Sequence, residues 1–318
     1  MRHYFTYFDS HYSPFGLSLY ESLILYSPAF TLHIFCLDSF VHKHLLSLDL
    51  SFIQVYLVED ILPPYLLSIK SSRPYKEFIW SLTPFYPIYL FQTIPTLSTL
   101  TYLDADLYIL NDLEYIYSSF HKSGSSILLT PHSFSPFKDI AHLSGYFCVQ
   151  FLIFHSSSLG FLSDWLNLTS TSTSTTLSRE DHIFGDQYYL TTLYSKFKDQ
   201  IYILSPSIAI CLAPWNLNRF PVSEAVLMHF HGFRILCPDF YFYGFYDIPL
   251  PAFQTLYLNY SRTLSLVFRK YSLAQLPISY SRFPRLTLLL LCLKLILVRL
   301  FNFFRRLVSF NTYLSPGS

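Results

Sequence analysis

In the stretch LTYLDADLYILND, residues 100–112, two aspartates one residue apart close an apolar run. Only 13% of the chain is Asp, Glu, Lys or Arg, so paired carboxylates at the end of a hydrophobic segment are an unusual use of charge here. Leu100, Tyr102 and Leu103 read as a buried strand, and Leu107 to Leu110 resume the apolar pattern, which places Asp104 and Asp106 where a core strand emerges. Residues i and i+2 of a strand point to the same side, so both carboxylates are expected to face one spot. Two like charges that close repel unless a cation or a shared proton lies between them. Carboxylate oxygens suit Mg²⁺ or Mn²⁺, ions that commonly bridge to the phosphates of a substrate. The plainer alternative is a strand that ends in a solvated turn.

Three further segments carry groups that could join this chemistry. In VLMHFHGFR, residues 226–234, His229 and His231 alternate with Phe230, and Gly232 allows a sharp turn. A borderline ion such as Mn²⁺ accepts mixed oxygen and imidazole ligands, so Asp104, Asp106 and one histidine form a sensible set; a structural histidine ending an apolar strand is the alternative. In FGDQYYL, residues 184–190, Asp186 reads either as a helix N-cap or, with Gln187, as a polar group aimed at sugar hydroxyls. In LAPWNLNRF, residues 212–220, Trp215 reads either as core or as an aromatic wall for a carbohydrate.

The elements that must position these groups alternate. TLHIFCLD (31–38) and IQVYLVED (53–60) read as buried strands ending in acidic residues. Helices are expected over SPFGLSLYESLILY from Ser13 and PYKEFIWSL from Pro74, with Thr83 capping a fresh turn at Pro84. Strands follow at SSILLTPH (125–132), YFCVQFLIF (146–154) and QIYILSPSI (200–208), with a helix from about Gly160 to Leu168 and a low-complexity polar loop at TSTSTSTT (169–176). Alternation of this kind implies an α/β layer with a mainly parallel sheet. In open sheets ligands bind beyond the carboxyl ends of strands, where Asp38, Asp60 and Asp104 all fall.

Composition narrows the classes. The 318 residues are 52% hydrophobic, with 27 Tyr and 32 Phe, more aromatic surface than one interior needs, which suggests contact with lipid or another protein. The formal net charge of +1 gives no reason to expect nucleic acid as a partner. Five scattered cysteines without CxxC spacing suit a reduced compartment, and the N-terminus lacks the apolar run of a signal peptide.

The other clear signal is PRLTLLLLCLKLILVRLFNFFRRLVSF, residues 284–310. Its longest uncharged stretch, 286–293, is too short for the roughly 20 residues that span a bilayer. On a helical wheel Thr287, Lys294, Arg299, Asn302, Arg305, Arg306 and Ser309 fall within about 140° of arc, opposite a continuous apolar face. A basic amphipathic helix of this kind lies in the interface of an anionic membrane; docking on its own domain is the alternative.

With these residues in view, the chain resembles a nucleotide-diphospho-sugar glycosyltransferase of the GT-A fold, similar to family 8. FTYFDSHYSPFGLSLYESLILYSPAFTLHIFCLD resembles that fold's first strand, nucleotide loop, helix and second strand. SRPYKEFIWSLTPFYPIYLF is similar to the helix before the metal motif, YLDAD to the motif itself, GYFCVQFLIFH to the acceptor-side strand, FGDQYYL to the Asp-Gln helix start and HFHGFR to the late His-x-x-Gly segment. The likeness covers roughly residues 3–235 in order.

What the resemblance implies can be stated residue by residue. Asp104 touches ribose and metal, Asp106 is the main metal ligand, and His229, three residues before Gly232, is the third ligand of a Mn²⁺ or Mg²⁺ ion. Phe8, Asp9 and Tyr12 line the base and ribose pocket, Arg73 or Lys76 offers a cation to the diphosphate, and Asp186 and Gln187 lie beside the donor sugar. Cys148 stands where this strand often carries Asn, and FRILCP replaces the usual Lys-Pro-Trp, which offers Arg234 a phosphate contact. The implied reaction moves a sugar from a nucleotide-diphospho-sugar donor to a glycan or lipid-linked acceptor, with retention of configuration. The expected organisation is a catalytic domain over 1–250, an extension over 251–283 and the helix over 284–310, peripheral on the inner, cytoplasmic face of an anionic membrane. Competing readings fit less well. A sugar-phosphate nucleotidyltransferase needs a Gly-rich loop that FTYFDSHYSPFG lacks, and a phosphatase using Asp104 would continue with Gly and Thr where Leu107 and Tyr108 follow. A non-catalytic scaffold on the same fold is the remaining alternative.

Overall fold

The computed structural model describes residues 1–27, 29–136, 139–175 and 184–280. Within the first 103 residues it contains β1 (Arg2–Phe8), α1 (Ser13–Tyr26), β2 (Phe30–Cys36), α2 (Ser39–Ser47), β3 (Ile53–Leu57), α3 (Val58–Ile61), α4 (Pro64–Ser72), α5 (Tyr75–Ser81), α6 (Phe85–Thr93) and β4 (Thr99–Leu103). Next come β5 (Leu107–Ile109), α7 (Glu114–Ser123), β6 (Ile127–Pro131), α8 (Ala141–Ser144), β7 (Phe147–His155), α9 (Leu159–Thr171) and α10 (Tyr188–Phe197). The remainder is β8 (Ile201–Ile203), β9 (Ile210–Leu212), β10 (Ala225–His229), β11 (Arg234–Cys237), β12 (Phe240–Phe242), α11 (Leu250–Ala252) and α12 (Leu258–Lys270). The amphipathic segment 284–310 lies outside the described residues, as does Cys292.

The main sheet has the order β3-β2-β1-β4-β7-β6-β8. Strands β3, β2, β1 and β4 run parallel, β7 is antiparallel to both β4 and β6, and β8 is parallel to β6. Side chains alternate across this sheet as the pleat requires. Tyr4, Phe8, Leu32, Ile34 and Leu103 enter the core under α1, α2, α7 and α12, whereas Phe5, Phe35, Leu100 and Tyr102 enter the opposite core under α5, α6, α9 and α10. A second sheet, β5-β10-β9, brings the late histidine strand to the end of the DxD segment, with His229 opposite Leu107. Helix α12 packs on α1 and shares its buried cluster through Tyr260, Leu264 and Val267, so residues beyond 250 complete this core.

Helix α1 spans the expected residues and is buried on most of its surface, because the sheet covers one side and α12 the other. Gly16 is required by close packing: a Cβ there would lie 2.2 Å from the Phe8 ring, which is itself only 1% exposed. Gly16→Ala is therefore expected to cost roughly 1–3 kcal/mol through overpacking. A lowered thermal midpoint would show it, and an unchanged midpoint would mean that the ring is not held. Two local expectations differ from the structure. IQVYLVED turns from strand to helix at Val58, so Asp60 lies in α3. Helix α6 starts at Phe85 without a side-chain cap, while the Thr83 hydroxyl bonds instead to the Trp80 carbonyl and the Tyr7 hydroxyl.

Candidate functional site

Asp104 and Asp106 meet because the chain turns, not because a strand alternates. Strand β4 ends at Leu103, and the Leu107 N–H returns to the Asp104 carbonyl at 3.0 Å, closing a tight turn around Ala105. Neighbouring strands hold that turn. The Asp104 N–H donates to the Gln150 carbonyl of β7 and the Phe230 N–H donates to the Asp106 carbonyl. The turn is not a solvated one, since the Asp104 and Asp106 side chains are only 20% and 15% exposed.

His229, at the end of β10, closes the group. Its Nε2 is 3.0 Å from Asp106 Oδ1 and 3.5 Å from Asp104 Oδ2. Its Nδ1 is 3.1 Å from Gln150 Oε1, so with Gln150 accepting, Nδ1 carries a proton and Nε2 faces the carboxylates. One ligand atom from each of Asp104, Asp106 and His229 lies within 4.8 Å of the other two. This arrangement separates the two carboxyls. Burial, offset in part by His229 and reinforced by Asp106, pushes Asp104 up to about 6. Burial acts on Asp106 as well, but the closer imidazole outweighs it and holds that carboxyl below its ordinary value. Burial opposes charge on His229, and the two aspartates overcome it, keeping its pKa well above the usual one. Two hard oxygen donors and one oriented imidazole fit a divalent cation, and without one a proton on His229 supplies the positive charge.

His231, whose ring centroid is 5.5 Å from that of His229, bonds through Nδ1 to the Tyr246 hydroxyl at 2.9 Å and is not one of the three grouped ligands. Trp215 packs edge-on against both histidines, is 8% exposed and donates to the His132 carbonyl, so it is core beneath His229 rather than a sugar wall.

The Phe8 ring is buried over Gly16 and offers the cleft no open surface. Asp9 accepts the His11 and Tyr12 N–H groups on Oδ1 and the Tyr75 hydroxyl on Oδ2. Tyr12 is exposed and accepts from the Arg234 guanidinium at 3.3 Å. Lys76 sits 4.5 Å over the Trp80 ring; partial desolvation and the nearby charge of Arg234 lower its pKa, and Asp106 opposes them. Arg73 is turned elsewhere, donating to the Thr169 and Ser170 carbonyls and the Thr173 hydroxyl.

Asp186 is not an N-cap. Helix α10 starts at Tyr188 with no side-chain cap, and Asp186 is 3% exposed with Oδ2 lacking a hydrogen-bond partner. Burial, with repulsion from Asp104 and Cys148 and against the Thr83 hydroxyl, pushes its carboxyl up to about 7. Gly185 at φ +63 lets the backbone pass over Trp80, whose ring lies 3.4 Å from where a Cβ would stand. Gln187 donates to the Ser144 carbonyl at 3.1 Å.

Gln150 and Tyr102, whose hydroxyl donates to Asp104 Oδ1 at 2.5 Å, were not singled out as site residues. The sequence signal for Gln150 is a lone amide inside the apolar run YFCVQFLIF, and the structure buries it fully. Cys148, two residues earlier on β7, has its thiol brought down to about 7: burial opposes this, and the imidazoles of His132 and His229 prevail.

The sheet, the crossing of β7 and the DxD turn at the carboxyl end of β4 define a GT-A architecture. The galactosyltransferase LgtC, solved with donor and acceptor sugar analogs, superposes with a TM-score of 0.53 at 12% identity over 89% of this chain and 98% of that one. An active-site mutant of LgtC gives 0.50 at 14% identity over the same shares, 89% and 98%. In sequence, YfnD of Bacillus subtilis (strain 168) is 23% identical over 237 residues, 69% of this chain and 74% of its own. No family model matches the chain.

Proposed function

We propose that this protein is a metal-dependent glycosyltransferase that moves a sugar from a nucleotide-diphospho-sugar donor to a glycan or lipid-linked acceptor, with retention of configuration. The observation that carries this reading is the convergence of Asp104, Asp106 and His229 at the carboxyl end of β4 in a GT-A sheet. The likeness to LgtC, solved with donor and acceptor sugar analogs, supports the same substrate class. In this reading the three residues hold Mn²⁺ or Mg²⁺, which when bound supplies Lewis-acid stabilisation of the departing diphosphate.

The chain's own residues do the rest. Tyr102 fixes one oxygen of Asp104, and Gln150 fixes the tautomer of His229. Asp9 and Tyr12, with Phe8 behind them, shape the base and ribose pocket. Because Arg73 is engaged by the last turn of α9 and by Thr173 just after it, Lys76 and Arg234 are the cations assigned to the diphosphate. Asp186 and Gln187 face the donor sugar, with the partnerless Oδ2 of Asp186 free to accept from a sugar hydroxyl. No helix among the described residues is long and apolar enough to cross a membrane. Attachment to an anionic inner membrane face through 284–310 is the arrangement proposed here, and it suits a lipid-linked acceptor.

A panel of nucleotide sugars, screened for donor hydrolysis and for thermal protection with and without Mn²⁺, tests the reading. Metal-dependent protection by at least one donor is expected; equal protection with and without the metal would remove this site. In a Mn²⁺ titration His229→Ala is expected to weaken binding by at least about 10-fold, the cost seen even for outer partners of metal ligands. His231→Ala, whose ring turns to Tyr246, should change it little. The reverse order would reassign the ligand.

A further inference from the structure

The two histidines of HFHGFR differ in the ring nitrogen they have to offer. With Gln150 accepting at Nδ1, His229 keeps Nε2 for a cation. His231 has the opposite kind of partner, because its Nδ1 meets the Tyr246 hydroxyl at 2.9 Å. Burial first, then Cys148 and Asp106, push that phenol up to about 12, so it holds its proton. An imidazole nitrogen accepts a hydrogen bond better than a phenol oxygen does, and Tyr246 therefore donates to Nδ1. The hydrogen of the neutral ring then sits on Nε2. A nitrogen that carries hydrogen does not ligate a metal, but it donates to an anion.

The surroundings of His231 lack such an anion. Part of the residue is open to solvent, while Trp215 and Tyr246 wall the ring at centroid distances of 5.7 and 6.0 Å. Desolvation first, then the charge of His229, with Lys76 and Arg234 adding and Asp106 opposing, lower its pKa to about 4 and keep it neutral. Arg234 likewise lowers the pKa of Lys76, so the three groups lie within electrostatic reach of one another. Among the described residues neither cation is ion-paired: Lys76 lies over the Trp80 ring and Arg234 donates to the Tyr12 hydroxyl. Two like charges so placed repel unless an opposite charge lies between them. Arg234, on Tyr12, stands at the nucleoside end of this space. His231 stands at the other end, since Trp215 and Tyr246 pack with Cys148, whose charge bears on Asp186.

Resting on the glycosyltransferase reading, we infer that His231 binds the β-phosphate of the donor nucleotide, the one that carries the sugar, through a hydrogen bond from Nε2–H. Two residues of one short segment then divide the work, His229 holding the cation and His231 the anion, with ring centroids 5.5 Å apart. Lys76 and Arg234 share the rest of the diphosphate charge. The proton stays on the ring throughout, so His231 is a hydrogen-bond donor and not an acid. Tyr246 is the positioning residue, because it fixes the tautomer without touching the nucleotide.

The test uses the full chain at saturating Mn²⁺, with ADP, CDP, GDP and UDP and the four matching monophosphates as probes. The tightest diphosphate is expected to bind wild type more tightly than its monophosphate. His231→Ala and His231→Phe are each expected to raise the diphosphate Kd at least about 10-fold, the scale of a hydrogen bond to a charged group, and to change the monophosphate and Mn²⁺ Kd less than about 3-fold. Phenylalanine keeps a ring against Trp215 without a donor, so it separates hydrogen bonding from packing. Ring ¹⁵N spectra of the histidine-labelled protein, in EDTA at neutral pH, are expected to place the His231 hydrogen on Nε2. An unchanged diphosphate Kd in the phenylalanine variant overturns the inference. So does an equal loss of monophosphate or Mn²⁺ binding, a wild type that does not prefer the diphosphate, or a hydrogen on Nδ1 of His231. Failure of every nucleotide to bind wild type is a different result, and it overturns the glycosyltransferase reading together with this assignment.

Discussion

Replacing Asp106 by Ala is expected to lower Mn²⁺ affinity at least roughly 100-fold and to abolish metal-dependent donor binding in a protein that still folds. The size follows from its place in the set. Substitution of groups that merely orient a metal ligand costs about 10–100-fold, and Asp106 offers the oxygen nearest His229, at 3.0 Å. Folding survives because the charge left behind can be removed. Without Asp106 the imidazole keeps only Asp104 at 3.5 Å, and it sheds its extra proton instead of standing as an unpaired buried cation. Calorimetric titration with Mn²⁺ reads the affinity, and a cooperative thermal melt reads the fold. Unchanged Mn²⁺ affinity in the variant would place the ion elsewhere.

What could be read from the sequence was what depends on local periodicity. The span of α1, the buried strand that follows it and the DxD pair at the end of β4 all follow from patterns a few residues long, whereas β1 was implied only by the family resemblance. The site was less legible, because its geometry is made by strands distant in sequence. Residues i and i+2 were expected to share a face of a strand, whereas the carboxylates converge across a turn whose shape is set by β7 and β10. Neither the antiparallel crossing of β7 between β4 and β6 nor the pairing of β10 with β5 leaves a local mark, so Gln150 could not be matched to His229 in advance. Arg73 and Lys76, three residues apart, looked interchangeable as cations. Only the packing of the end of α9 and of Thr173 beyond it against α5 shows Arg73 engaged and leaves Lys76 near Asp106. The hydrogen bond from the Ser279 N–H to His11 Nδ1 joins the two ends of the described chain and lay beyond any pattern reading.

Asp186→Asn is expected to stabilise the metal-free protein at neutral pH while slowing sugar transfer on the order of 100-fold, the scale of a misplaced reacting group. The stabilising half follows from burial. The carboxyl is 3% exposed, one oxygen lacks a partner, and its pKa is pushed up to about 7 from an ordinary value near 4. Between those two values the unfolded chain has released this proton and the folded protein still holds it. The unfolded state therefore binds fewer protons, and stability falls as pH rises through that window before levelling above it. Asparagine has no proton to lose, and a buried neutral amide is less costly than a buried charge. The advantage of the variant should thus be small near pH 4 and grow to an upper bound of roughly 4 kcal/mol by pH 7. Asp104 also titrates in this range, raised to about 6, and is present in both proteins, so only its repulsion with Asp186 enters their difference. Thermal midpoints measured in EDTA across this range read the stability, and turnover with saturating donor and Mn²⁺ reads the transfer. The two effects together are what distinguish a group kept for its chemistry from one kept for packing. A variant with normal turnover per folded molecule would make Asp186 structural, and one whose stability shows the same pH slope as wild type would show that its carboxyl is not the group held protonated.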